Sequence, residues 1–537
     1  MTTSVALPLP ATTRPPANKR LVTVSITFGT LMGAIDSSIV NVAMPHIRGS
    51  VGATVQEITW ISTGYVVAQV VVMPLTAFLG RLFGQKNVYM FCLALFLLGS
   101  ILCGLSTSLP MLIAFRVIQG LGAGALQPTE QAILRQTFSA KEQGMAMALF
   151  GMAVMLGPAI GPTLGGYLVD HYPWPWIFYI NVPVGILGLY MVASFVPEPE
   201  DIRAYNRAIA EKQRQHMDWA GIGLLTLGLA ALQYVLEEGQ TNDWFESREI
   251  VLITFIAVFA IAGFVVRELT AEVPAVNLSL FKDPVFLSGT LIGALMFAML
   301  MANMFLLPVF MQELLGFTAT QSGFALMPRV AVMMLVTPIV GRLYNVVSPR
   351  VIIGVGVLFF VVGAYMMSHF TLDTSRTGII GAIAVQGVGF SCLFAPLATV
   401  ALGNIPRHKM ADATGLNSLF RQVGGSIGLA VFVTMLSRYG VASRAALAAD
   451  VIPTRIEATS RMQMLQMGFQ SRGMDAVHAQ ESALRAITGI VARESMVMAF
   501  DKIFLLAGIL FLGVLPLLVF LRSTPISGGE KIHVEME

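Results

Sequence analysis

Apolar stretches long enough to cross a bilayer recur about fourteen times along this chain, and they constrain its fold more than any other feature. A span needs about 20 predominantly apolar residues. That rule marks spans near 21–44, 59–80, 88–107, 110–133, 144–168, 176–196, 219–237, 250–268, 285–312, 320–341, 351–369, 377–403, 412–436 and 500–521. Only 12% of the residues are charged and 55% are hydrophobic, whereas soluble domains carry about 25% charged residues. The chain therefore reads as an all-α integral membrane protein.

Several function classes drop out. The net charge is +3, and no basic cluster exceeds three residues, so nothing points to nucleic acid. Cys92, Cys103 and Cys392 all fall in apolar runs without ligand spacing, so they read as packing residues. No Walker A motif is present, and the GxG patterns lie inside spans with no strand before them. The histidines are scattered, and no catalytic or metal constellation is visible. An enzyme is not expected, nor is a metal or an organic cofactor.

The short loops orient the spans. One set carries Arg81 and Lys86, Arg135 and Lys141, Arg342 and Arg350, and Arg407 and Lys409. The alternate set is poorer in basic residues; its fourth loop holds Glu237, Glu238, Asp243, Glu246, Arg248 and Glu249. The positive-inside rule places the first set in the cytoplasm, and an even number of spans puts both termini there. Residues 1–20 and 525–537 read as cytoplasmic tails, the first disordered. Residues 21–197 form a first set of six spans, 198–218 a charged cytoplasmic linker, 219–268 two additional spans, and 269–524 a second set of six. Residues 437–499 form the only long loop, expected outside and rich in helix formers. Gly80-Arg81-Leu82 after span two is echoed by Gly341-Arg342-Leu343 after span ten, which suggests repeated six-helix bundles.

Span five stands out. Gly157, Gly161 and Gly165 recur every fourth residue, so they share one helix face that a neighbour can approach closely. Pro158 and Pro162 each remove a backbone donor and bend the helix. The face suits either tight static packing or a place where two halves meet and slide.

Several motifs resemble those of a known family. Gly157-Pro158, Gly161-Pro162 and Gly165-Gly166 resemble the antiporter motif of the major facilitator superfamily. Arg116-Val117-Ile118-Gln119-Gly120 with Gly122 resembles its fourth-helix RxxQGxG motif. Asp36-Ser37-Ser38-Ile39-Val40-Asn41-Val42-Ala43-Met44-Pro45 is similar to the first-helix signature of the 14-helix drug:proton antiporters. Trp176-Ile177-Phe178-Tyr179-Ile180-Asn181-Val182-Pro183-Val184-Gly185 matches the WIFxINxPxG of that branch. Asn417, Arg421-Gln422 and Gly424-Gly425-Ser426-Ile427-Gly428 resemble its late NxxRQxGGSIG. Over about residues 20–525 the chain resembles the EmrB-type pumps of the EmrB/QacA branch. The resemblance implies two six-helix bundles plus two central helices, and no cofactor beyond a proton gradient. It further implies export of hydrophobic drugs across a bacterial inner membrane. An EmrA-type periplasmic adaptor meeting loop 437–499 and a TolC-type outer-membrane channel are the implied partners; a lid over the pump's own exit is the other reading of that loop. One departure is clear: the superfamily's loop after span two carries an Asp where this chain has Arg81, and Asn345 stands at the matching place in the second half.

Ionisable groups inside a membrane are costly and mark functional hypotheses. Asp36 lies about 8 residues from the outer end of span one and Arg116 about 7 residues into span four, roughly 12 and 10 Å deep. In the superfamily fold both spans line the first half's cavity, so the two are expected to be close enough to pair. Such a pair either couples proton uptake to transport or fixes two helices. Glu130, near the inner edge of span four, either admits protons or cationic drugs or is an interfacial carboxylate beside Arg135. Arg329 reads as a structural intramembrane charge, and Arg421 as cavity-lining or anchoring. Asn41, Gln119, Asn181, Asn303, Gln386 and Asn417 are uncharged polar groups inside spans and candidates for a substrate cavity. The 33 Phe and 31 Met residues suit an adaptable site. Alternatives to drug:proton antiport are a dedicated exporter of one metabolite, such as a siderophore or lipid, and a transporter-like sensor or scaffold.

Overall fold

The computed structural model describes residues 18–139, 142–215, 217–271, 274–344, 346–452 and 454–521. Most of both tails, Lys141, Asn345 and the side chain of Pro158 lie outside the described set. The first half comprises α1 (Lys19–Val51), α2 (Val55–Phe83), α3 (Gln85–Gly104), α4 (Leu109–Gly124), α5 (Leu126–Thr137), α6 (Gln143–His171), α7 (Trp176–Tyr179) and α8 (Asn181–Phe195). Then come α9 (Glu200–Gln215), α10 (Trp219–Glu238) and α11 (Arg248–Thr270). The second half comprises α12 (Pro284–Val309), α13 (Ala319–Leu343), α14 (Pro349–Met367), α15 (Arg376–Ala401), α16 (Met410–Asp450), α17 (Ile456–Gln470) and α18 (Ala476–Leu512). Among the described residues, fourteen helical stretches are long and apolar enough to span a membrane; α4 with α5, and α7 with α8, each make one of them.

Helix starts are fixed locally. Thr54 and Glu57 form a reciprocal capping box on α2, and Thr318 and Gln321 do the same on α13, satisfying orphan amides at each N-terminus. The first helix begins at Lys19, capped by the Asn18 side chain, so Lys19 and Arg20 belong to it and not to a tail.

The basic loops gather at one end of the molecule, called here the basic end. There the halves are tied together. Arg81 Nη1 donates to Asp412 Oδ1 at 2.7 Å, Arg81 Nε to Gln213 Oε1 at 3.2 Å, and Arg81 Nη2 to the Ala275 carbonyl. Arg407 Nη2 donates to the Gln136 carbonyl at 2.6 Å. The acid missing after span two is thus supplied by α16 of the other half.

The glycine face of α6 does not meet the other half. A Cβ on Gly157 would sit 2.5 Å from the Ala34 carbonyl carbon, and one on Gly161 would sit 2.5 Å from Ser38 Cβ. The face packs on α1 of its own half, so the reading of a sliding seam on this face is corrected. Periodicity announces a close neighbour without saying which. Another face of α6 does touch the second half: Gly144 lies against the Gly341 carbonyl, and Phe150 packs on Phe394 at 6.1 Å between centroids.

The two additional helices cover the seam between α2 and α16. Leu225 and Leu229 of α10 and Phe264 of α11 share a buried apolar cluster with Val70 and Met73 of α2 and Leu416 and Leu419 of α16. The 437–499 segment is not an irregular loop. It prolongs α16 and α18 and adds α17. At 41 residues, α16 is about 60 Å long, roughly twice the hydrocarbon thickness. Its far part therefore stands beyond the end opposite the basic one, with α17 packed on α18.

Candidate functional site

Five helices of the first half converge on Asp36. Its Oδ2 accepts from Arg116 Nη1 at 2.6 Å. Its Oδ1 accepts from Gln119 Nε2 at 2.9 Å and Asn181 Nδ2 at 2.8 Å. Ser100 Oγ accepts from the same Gln119 and Asn181 amides at 2.7 and 3.2 Å. Arg116 also donates to Gln119 Oε1 at 2.6 Å and to the Ile61 carbonyl at 3.2 Å. Its guanidinium lies 4.1 Å from the Tyr65 ring centroid and 5.8 Å from that of Phe178, within cation–π range. Asp36 and Arg116 are each 1% exposed.

Local sequence builds this convergence. Arg116 and Gln119 are three residues apart and share a face of α4. Gly99 lets α3 approach: a Cβ there would fall 2.6 Å from Gln119 Cα, and the next residue, Ser100, thereby reaches the network. Asn181 opens α8 directly after the short α7, which turns its amide toward Asp36. The carboxylate is well satisfied by charge-assisted bonds.

Glu130 is elsewhere. It is completely buried in α5 and accepts from Thr27 Oγ1 of α1 at 3.0 Å, while its Oε2 has no partner among the described residues. Arg135 instead donates to Gln143. The interfacial reading beside Arg135 is corrected: the first turns of α1 fold over Glu130 and close it off from solvent. Asn41 is exposed and accepts from Ser62 Oγ. It does not join the Asp36 network.

In the second half, Arg329 is 3% exposed and donates to Gln386 Oε1 at 2.9 Å beneath the Phe390 ring. Arg421 is 4% exposed and, among the described residues, its only hydrogen-bond partner is Ser418 Oγ at 3.4 Å. Its guanidinium is surrounded by the rings of Phe150, Phe297 and Phe394 at 5.4–5.7 Å. Neither arginine has a salt bridge among the described residues. Asn303 turns back onto the Met299 carbonyl of its own helix at 2.8 Å, and Asn417 is buried on α16. Among the described residues, no side-chain hydrogen bond joins these polar candidates of the second half to one another beyond the Arg329–Gln386 pair. Arg329 with Gln386 is one pair, Arg421 is another point, and Asn303 is a third.

Several polar residues escaped the sequence reading. Ser100 is one. Glu237 and Glu238 are two more; they fell in a loop on the sequence, but the structure places them in the last turn of α10. Thr59 and Thr63 of α2 donate to Glu238 Oε1 at 3.3 and 3.0 Å, and Ser426 of α16 lies 3.4 Å from Glu237 Oε1. This pair of acids bridges the two halves through the additional helix. Its signal was faint, two adjacent acids at the very end of an apolar run. Asp412, the partner of Arg81, was hidden in the same way at the start of span thirteen.

The family described as Major Facilitator Superfamily matches residues 26–429. The chain belongs to the Major Facilitator Superfamily. It is 33% identical to "Multidrug export protein EmrB" of Escherichia coli (strain K12), over 95% of this chain and 96% of that protein. It is 31% identical to "Fatty acid resistance protein FarB" of Neisseria gonorrhoeae, over 95% of this chain and 97% of that one. Among solved structures, the proton:xylose symporter XylE matches with a TM-score of 0.58 at 10% identity, covering 92% of this chain and 95% of XylE. The human organic anion transporter TETRAN matches with a TM-score of 0.57 at 15% identity, covering 93% and 100%. These two share the fold. Over nearly its whole length the chain is thus similar to the EmrB-type export proteins of this transporter superfamily, and its apolar helices mark a multi-pass membrane protein.

Proposed function

We propose that the chain exports hydrophobic toxic compounds in exchange for protons, with Asp36 as the residue that takes and releases the proton. The observation that carries this reading is the Asp36–Arg116–Gln119–Asn181 network: a buried acid held by donors from two other helices of the half, each able to move with its own helix. Protonating Asp36 removes its attraction for Arg116, and the freed guanidinium still has Gln119 and the Ile61 carbonyl. The pair opens and closes with the transport cycle, so proton uptake and helix movement are one event. A membrane potential of 100 mV supplies about 2.3 kcal/mol per charge moved.

Positive-inside loops support an inner membrane location with both termini cytoplasmic. The basic end is then the cytoplasmic end, and the Arg81–Asp412 and Arg407–Gln136 ties close it. The extensions of α16 and α18 and the α17 hairpin then stand in the periplasm. They supply a contact for an EmrA-type adaptor and, through it, a TolC-type channel.

The test is ethidium efflux from cells lacking their own pumps, with wild type and Asp36→Asn, each with and without an EmrA-type partner. Efflux abolished by an uncoupler and by the substitution, at equal membrane abundance, is expected. Full uncoupler-sensitive efflux from Asp36→Asn sinks the assignment of Asp36. No efflux from the wild type under any condition favours the narrow-substrate exporter or the scaffold.

A further inference from the structure

Where α9 lies across the ends of α2 and α3, it closes a polar cavity of about 660 Å³. Asn206 of α9 is buried and donates to the Gly80 carbonyl, and Gln213 is buried against Arg81, so this helix is seated and not a loose tether. Arg203, Arg207 and Arg214 recur at four- and seven-residue steps along α9 and line the cavity with Arg81, Glu198 and Glu211. Glu198 is engaged by the Gln85 amide at 3.2 Å, and Arg81 by Asp412. Arg203, Arg207 and Arg214 form no salt bridge among the described residues. Three unpaired guanidinium groups facing one free carboxylate leave the cavity in need of negative charge.

A second cavity adjoins it. An apolar groove of about 490 Å³ runs up the outside of α2 and α3. Val72, Leu79, Phe91, Leu95 and Leu121 line it, and Phe83 and Asn87 belong to both cavities. Phe83 and Phe91 are 60% and 67% exposed, and an apolar surface of this kind on spans is suited to lipid. From Phe83 to Val72 the groove follows about eleven residues of helix, roughly 16 Å.

We propose that the two cavities are one binding site for an anionic phospholipid of the leaflet at the basic end. Its phosphate sits among the α9 arginines and one acyl chain lies in the groove. Planar guanidinium groups match phosphate oxygens two at a time, and basic pockets beside transmembrane helices at this level take acidic headgroups. The chain enters and leaves α9 through the spans ending at Phe195 and starting at Trp219, so α9 lies at headgroup level. A free phosphate has no use for the groove. A fatty acid carboxylate does not need three arginines.

The test is native mass spectrometry of the purified full chain titrated with phosphatidylglycerol and phosphatidylcholine of identical acyl chains, with oleate and inorganic phosphate as further arms. Phosphatidylglycerol is expected to bind roughly a hundredfold more tightly than phosphatidylcholine, since three arginines each add attraction for the anionic headgroup. The triple variant R203Q/R207Q/R214Q changes side chains on the surface helix and should lose that preference while keeping its unfolding temperature. Leu95→Trp, which fills the groove, should weaken phosphatidylglycerol with the arginines intact. Equal binding of the two phospholipids overturns the site, and so does a preference that survives the triple variant. Full displacement by inorganic phosphate shows a plain anion pocket and overturns it too. Oleate binding as tightly as phosphatidylglycerol reassigns the occupant and equally refutes the phospholipid.

Discussion

In the first half the buried Arg116 guanidinium meets a carboxylate 2.6 Å away, whereas in the second half the buried Arg329 and Arg421 meet an amide, a hydroxyl and aromatic rings. An arginine keeps its proton under any condition a cell offers, so these two charges of the second half are fixed. In the first half the carboxylate partner can change state. Under the proposed antiport the difference says where coupling would reside: an exchange of protons needs an acid, and the buried acid paired with a cation lies on α1. The second half instead offers permanent positive charge wrapped in Phe rings, a surface that shapes and orients. Between the two runs one turn of α2. Its Ile61 carbonyl holds Arg116, its Ser62 hydroxyl reaches Asn41, and its Thr59 and Thr63 hydroxyls hold Glu238 of the additional helix.

The sharpest way to break this comparison is to remove the cation from each half. Arg116→Met strands a buried carboxylate, and stranding one member of a buried ion pair costs about 3–5 kcal/mol. Arg329→Met leaves only the Gln386 amide short of a partner, about 1–3 kcal/mol. Thermal unfolding of the purified variants should rank them in that order, and Arg116→Met alone should regain stability on Asp36→Asn in the same chain. Equal losses, or no rescue, would mean that both arginines are simply packing charges.

The spans were legible because an apolar run of about 20 residues has few other uses. The Asp36–Arg116 pair was legible because the two lie at matched depth on spans that the family resemblance places side by side, whereas Gln119 was read only as a polar candidate for a substrate cavity and its bond to Asp36 was not foreseen. Ser100 was not, because a serine inside a span can satisfy itself on its own helix, and only the approach of α3 at Gly99 brings it to the network. Glu237 and Glu238 were hidden by position. A carboxylate in the last turn of a span and one in the loop beyond look alike in sequence, and burial by α2 and α16 is what separates them. The interfacial reading of Glu130 failed for the complementary reason, since its depth near the edge suggested an interface and the first helix covers it.

The glycines allow the packing side of the comparison to be sharpened. Gly157→Ala drives a methyl into the Ala34 backbone, and overpacking of this kind costs about 1–3 kcal/mol. A methyl on Gly166 would meet nothing within 4 Å, so Gly166→Ala should stay within about 0.5 kcal/mol of wild type. Since the contact is between α6 and α1, the Gly157→Ala loss should appear with the Asp36–Arg116 pair: Asp36 moves with α1, and uncoupler-sensitive efflux should fall. Gly157→Ala protein with unchanged unfolding temperature and efflux would show that the two helices separate freely.

The smallest effect belongs to an ion pair that water reaches. Lys19 at the start of α1 bonds Glu142 just before α6, and both side chains are more than two-fifths exposed, where such pairs contribute little. Hydrogen bonds from Lys19 and Ser139 pull the Glu142 carboxyl from 4.5 down to about 2. Because the folded value is the lower one, the pair's contribution is complete above about 4.5 and disappears as pH falls toward about 2. Protection of the Val22 and Thr23 amides against hydrogen exchange, corrected for intrinsic rates, should therefore decline over that acid window in wild type. In Lys19→Gln the decline should be weaker, since Ser139 alone then holds the carboxylate. An identical decline in both proteins would assign the acid sensitivity of α1 to another group, and buried Glu130, which lies deeper against Thr27, is the next to substitute.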